Sequence, residues 1–100
     1  MWTELSDTAI IEKLGKRIKA QRIRQEMKQE ELGAASAVAV STIRRIENGQ
    51  SVSLQLLISV LRTLGLLENL ELLIPETKIG PLQLQKLQGR TIQRVRTKKE

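Results

Sequence analysis

The chain has 100 residues, with 17 Lys or Arg against 11 Asp or Glu and a formal net charge of +6. It contains no Cys and no His, which excludes disulfides, thiolate or imidazole metal sites, and Ser–His–Asp or Cys–His catalysis. Trp2 is the sole aromatic residue, which argues against a two-sheet sandwich and against a groove that stacks unpaired bases.

What remains is a single small domain whose core is built from Leu, Ile, Val and Ala on helices. The positive charge suits a phosphate-backbone partner, and it serves solubility equally well. No apolar run approaches the length of a membrane span. The start, MWTELSD, has neither the charged opening nor the apolar centre of a signal peptide, so a cytoplasmic setting is expected. No cofactor or metal is implied, and no acid–base pair at a workable spacing supports an enzyme.

Ser6 or Asp7 is suited to cap a first helix over 8–25. Ile11, Leu14 and Ile18 recur on its inner face at helical spacing, with Lys13, Lys16, Arg17, Lys19 and Arg24 on the others. A second helix opens at Lys28 or Gln29 and turns Leu32 and Ala35 inward. The chain turns over 36–39. A third helix over 40–48 buries Ile43 and Ile46 and stops at Gly49, because Gly accepts the left-handed conformation that ends helices.

Ser51 or Ser53 caps a fourth helix. Its main stripe is Leu54, Leu57, Ile58 and Leu61, widened by Leu56, Val60 and Leu64, and Gly65 ends it. Residues 66–74 read as a short fifth helix stopped by Pro75. Its Leu67, Leu70, Leu73 and Ile74 exceed what a small domain can hide and read as a dimer seam. From Glu76 the composition changes: Lys78, Gly80 and Pro81 break the pattern, and Arg90, Arg94, Arg96, Lys98 and Lys99 form a basic end. The expected division is a helical domain over 1–75 and a basic tail over 76–100, ordered only against a partner or DNA. An edge strand over 91–96 is the alternative there.

Residues 27–49, MKQEELGAASAVAVSTIRRIENG, read as two short helices joined by a tight turn. The second carries small polar and basic side chains on one face. A helix-turn-helix of this kind lays its second helix in the DNA major groove. Gln29-Glu30-Glu31-Leu32, Ser41-Thr42-Ile43 and Ile46-Glu47-Asn48-Gly49 resemble the XRE-type, or λ-repressor-like, helix-turn-helix family. The likeness covers residues 13–74 and implies an all-α, five-helix domain that binds double-stranded DNA. Residues 49–54 and 60–67, then Leu70, Pro75 and the tail segments Pro81-Leu82 and Leu87-Gln88-Gly89-Arg90, are similar to HipB-like antitoxins. Those are small repressors encoded beside a HipA-like kinase toxin that they bind.

On this resemblance, base readout falls to the opening and outer face of the third helix. Val40 and the Thr42 methyl suit a thymine methyl, Ser41 and Thr42 bond either kind of base edge, and Arg45 suits guanine. Gln29 and Asn48 are assigned to backbone phosphates by the family pattern, and Arg44 by its position. Plainer readings stay open: a helix cap for Gln29, a C-terminal cap for Asn48, a solvated face for the two arginines. The family also pairs an arginine on its first helix with a glutamate ending its recognition helix, here Arg22 and Glu47. Two departures stand out. Ala37 occupies a turn position usually held by Gly, where a positive φ is uncomfortable. Val40 replaces a polar base reader, which shifts weight to shape readout.

Three functions fit these residues. The first is a homodimeric repressor on a pseudopalindromic operator, with a HipA-like kinase toxin as protein partner. The second is an interaction module that neutralises a toxin, with DNA binding secondary. The third is a stand-alone phage or plasmid repressor. Trp2 is either a loosely packed terminal residue or an anchor on a partner.

Overall fold

The computed structural model describes residues 1–77. The chain divides into two compact units, Met1–Leu70 and Glu71–Glu100. Of the second unit residues 71–77 are described, and all are exposed. The tail expected over 76–100, from residue 78 onward, and the alternative strand over 91–96 lie outside the described residues.

Among the described residues the structure is all-helical, with five α-helices and no strand. A single 3-10 turn, Trp2–Glu4, leads into α1, Asp7–Arg24. Ser6 caps α1 by accepting the Ala9 N–H on its hydroxyl at 3.1 Å. Helix α2 is Gln29–Ser36. Its N-cap Lys28 has no acceptor to offer, so only half of a capping box forms: the Glu31 carboxylate accepts the Lys28 N–H at 2.7 Å. Helix α3 is Val40–Glu47 and α4 is Leu54–Thr63. Ser53 caps α4 by accepting the Leu56 N–H at 3.2 Å.

The four longer helices end alike. After α1, α2, α3 and α4 come Glu26, Ala37, Gly49 and Gly65, with φ of 57°, 57°, 81° and 76°. Each left-handed residue donates to the carbonyl three back, and the next residue donates to the carbonyl five back, as in Gly49 to Ile46 (3.1 Å) and Gln50 to Arg45 (2.9 Å). This is the Schellman closure, which satisfies the last helical carbonyls. Two of the four left-handed positions hold a side chain that the conformation disfavours.

The core joins Ile18 of α1, Leu32 of α2, Val38 of the turn, Ile43 and Ile46 of α3, and Val60 and Leu64 of α4. Leu32, Ile43 and Val60 are fully buried at its centre. Helix α3 packs against α1 and α2, and α4 packs against α2.

Several inward assignments made from periodicity need correction. Leu14 is 41% exposed. Ala35 is exposed, and Ser36 takes the inward place one turn after Leu32. The Ser36 hydroxyl is satisfied there by Thr63 Oγ1 at 2.9 Å. In α4 the buried line is Val60 and Leu64, whereas Leu54 is 68% exposed. At about 100° per residue, Leu54 lies more than a quarter turn away from the fully buried Val60. Residues 66–74 do not form one helix. A 3-10 turn, Leu67–Asn69, is followed by the single turn α5, Leu70–Leu73.

Candidate nucleic-acid interface

The third helix is the element whose two sides differ most. Its inner side, Ile43, Ile46 and Glu47, is buried. Its outer side presents Ser41, Arg44, Arg45 and, at the cap, Asn48, all exposed, with Val40 and Thr42 half-buried at its start.

Two contacts fix the pose of α3 on α1. The first is the buried ion pair between Arg22 and Glu47. Arg22 Nε donates to Glu47 Oε2 at 2.6 Å and Nη2 donates to Oε1 at 3.0 Å, a fork-on-fork geometry. The remaining Arg22 Nη1 donates to the Met27 carbonyl at 2.8 Å, which ties in the segment entering α2. Both side chains are nearly sealed, at 10% and 2% exposure. The hydrogen bond to Glu47 raises the Arg22 pKa above its ordinary value; burial acts the other way, and the charges of Glu47 and Glu30 add to the rise.

The second contact is a backbone approach. A Cβ on Gly15 would collide with the Ile46 carbonyl oxygen of α3. A Cβ on Gly49 would stand 2.6 Å from Glu12 Cγ. Helix α1 therefore meets the end of α3 with no side chain between them at Gly15. Neither Gly15 nor its role was singled out from the sequence. The available signal was a glycine in mid-helix, which is unfavourable there by roughly 0.5–1 kcal/mol relative to Ala unless close packing requires it.

Gln29 opens α2 and is half-buried. Its Nε2 donates to Glu47 Oε1 at 3.0 Å, so the same carboxylate holds Arg22 and orients Gln29. One amide hydrogen of Gln29 is left for another acceptor. Arg44 lies 3.9 Å from Glu30, both largely exposed. Arg45 Nη2 donates to the Ser51 carbonyl at 3.0 Å, which links the outer face of α3 to the loop before α4. Periodicity could not reveal this link, because the acceptor is a backbone oxygen.

Away from α3, Trp2 is 40% exposed. Its ring lies under Lys13 Nζ at 4.5 Å and Arg17 Cζ at 5.0 Å, so two of the basic residues of α1 hold down the first turn of the chain. Leu67 and Leu70 are half-buried, while Leu73 and Ile74 are 67% and 78% exposed. An open apolar groove of about 120 Å³ lies along Ile11, Leu14, Ile18, Ile46 and Val52 and has no titratable lining. Among the described residues no cluster of acids could hold a metal ion.

A short helix locked along one side, with exposed polar and basic side chains along the other and entered from α2 through a tight turn, is the working part of a helix-turn-helix DNA-binding unit. Residues 18–68 match the family model described as helix-turn-helix. No curated protein gives a significant match. The chain belongs to the XRE-type helix-turn-helix family, which consists of DNA-binding regulators. No helix among the described residues is long and apolar enough to cross a membrane.

Proposed function

We propose that the chain is a sequence-specific transcriptional repressor that binds a pseudopalindromic operator as a homodimer. The exposed outer side of α3 carries this reading, because its opposite side is already fixed by Ile43, Ile46 and the Arg22–Glu47 pair. In this reading Val40, Ser41, Thr42 and Arg45 meet base edges, and a bidentate Arg45–guanine contact contributes roughly 1–3 kcal/mol of discrimination. Gln29, Arg44 and Asn48 meet phosphates and set the register. Leu67, Leu70, Leu73 and Ile74 form the seam between two copies. On such an operator the two α3 helices would enter successive major grooves about 34 Å apart.

The narrower role is that of an antitoxin which binds a HipA-like kinase and represses its own operon. Its support is the sequence similarity over residues 49–54 and 60–67, at Leu70 and Pro75, and over 81–82 and 87–90.

A gel-shift with the DNA upstream of the chain's own gene tests the first reading. A shift that survives excess non-specific duplex is expected, with a two-fold symmetric footprint. Loss of the shift under competition removes the repressor role and leaves the interaction module. Sedimentation of Leu73→Glu/Ile74→Glu should give a monomer; an unchanged dimer moves the seam elsewhere. Co-purification with the product of the adjacent gene tests the antitoxin role, which falls if that product is no kinase or does not bind.

A further inference from the structure

The two exposed arginines on the outer side of α3 are held differently. Arg44 comes only to within 3.9 Å of Glu30. Arg45 Nη2 donates to the Ser51 carbonyl at 3.0 Å. That acceptor belongs to the loop between α3 and α4, and the loop is fixed on both sides of it. Upstream, the Gln50 N–H donates to the Arg45 carbonyl at 2.9 Å and the Gly49 N–H to the Ile46 carbonyl at 3.1 Å. Downstream, Val52 packs against the core and Ser53 caps α4. Arg45 therefore meets the loop twice, through its own carbonyl and through its guanidinium, and the oxygen that the guanidinium meets is not free to swing.

This bond does not exhaust the arginine. The N–H groups of a guanidinium form two forks, one from Nε with Nη2 and one from Nη1 with Nη2. Nη2 offers one hydrogen to each fork, so a single bond to Ser51 occupies one fork and leaves the other whole. A whole fork is what O6 and N7 of guanine require. An unheld arginine on an exposed helix loses much rotamer freedom when it meets a base. One whose plane is already set loses less.

We infer that Ser51 is a positioning residue for base readout: its main-chain carbonyl sets the plane of the Arg45 guanidinium so that the free fork is presented to a guanine. The inference rests on the assignment of Arg45 to a base edge made above. It makes the loop after α3 part of the specificity apparatus, although the group that acts is a backbone oxygen and touches no base itself. Arg44, with no such acceptor among the described residues, keeps the looser geometry that a phosphate contact tolerates.

The test weakens this one acceptor and leaves every side chain in place. Replacing Val52 by its α-hydroxy acid turns the amide between Ser51 and Val52 into an ester, whose carbonyl is a poorer acceptor. The N–H lost with it makes no hydrogen bond among the described residues. The ester is made in the full chain and in the full chain carrying Arg45→Ala. Each protein, with and without the ester, goes through a binding-site selection, titration of operators varied at the selected guanine, and a thermal melt. A bidentate contact gives a guanine preference of about 5–150-fold at one position. The ester should lower that preference by about threefold or more, at that position alone, with the melting temperature kept. In the Arg45→Ala chain, where the preference is already lost, the ester should change nothing further. A guanine preference that the ester leaves as it was, or raises, overturns the inference. So does an effect of equal size in both backgrounds, which would make the loop a structural support and no more. If Arg45→Ala itself leaves the selected sequence unaltered, the assignment of Arg45 to base readout fails first and this inference falls with it.

Discussion

Ala37 offers a direct test of how the turn between α2 and α3 is closed. Its φ and ψ are 57° and 41°, in the left-handed region. For an L-residue other than Gly this conformation costs roughly 1–2 kcal/mol. Ala37→Gly removes that cost. It also gives the unfolded chain more freedom, which takes back about 0.4–1 kcal/mol. The methyl group is exposed, so its loss removes no packing. The net expectation is a gain of about 0.5–1 kcal/mol. With a urea m-value near the middle of the usual range for small domains, about 2 kcal/mol/M, the midpoint should rise by about 0.3–0.5 M with the slope unchanged. The melting temperature should rise by about 4 °C. Urea denaturation followed by far-ultraviolet circular dichroism reads both quantities. Glu26→Gly, at another exposed position with φ of 57°, should shift the midpoint in the same direction. An Ala37→Gly variant destabilised by the full entropic cost of about 0.4–1 kcal/mol would refute the reasoning, because it would show that the left-handed residue carries no strain to relieve.

Three further outcomes follow from the packing of α3. Glu47→Ala leaves the buried Arg22 guanidinium unpaired and should cost about 3–5 kcal/mol in denaturant unfolding; a loss below 1 kcal/mol would mean that the pair is solvated. Gly15→Ala gains helix propensity but drives a methyl group into the Ile46 carbonyl, so the balance should be a loss of about 1–3 kcal/mol, and a more stable variant would show that the two helices do not meet there. In a binding-site selection, Arg45→Ala should relax preference at one base position, whereas Gln29→Ala should weaken all sequences alike. A selection profile that Arg45→Ala leaves untouched removes that arginine from base readout.

The chemistry that local residues control was legible in the sequence. Each cap is narrowed by the sequence to two residues, of which Ser6 and Ser53 accept the neighbouring N–H groups, and Gly49 and Gly65 stop helices because they lack a Cβ. The apolar spacing of Ile43 and Ile46 set the inner face of α3, and the outer face followed by exclusion. What depends on a second element was not legible. Apolar residues lie all round α4, so only the side on which it packs decides that Val60 and Leu64 are buried and Leu54 is exposed. Glu26 gave no hint of its left-handed backbone, since nothing in its type favours one. The short apolar stretch after Gly65 has a helical pattern but breaks into a 3-10 turn and one turn of helix, because periodicity does not report how many hydrogen bonds a turn will close. The Arg45–Ser51 bond ends on a main-chain oxygen, to which side-chain patterns are blind.

The inner and outer residues of α3 form two sets with no member in common. Ile43, Ile46 and Glu47 are buried against the scaffold, while Ser41, Arg44, Arg45 and Asn48 are exposed and only Arg45 among them hydrogen-bonds back to it, through the Ser51 carbonyl. Such a division lets descendants of one ancestral chain exchange their target address without renegotiating the architecture that delivers it. It also makes this helix a convenient cassette, into which an engineer could write a new recognition code while leaving the frame as it stands.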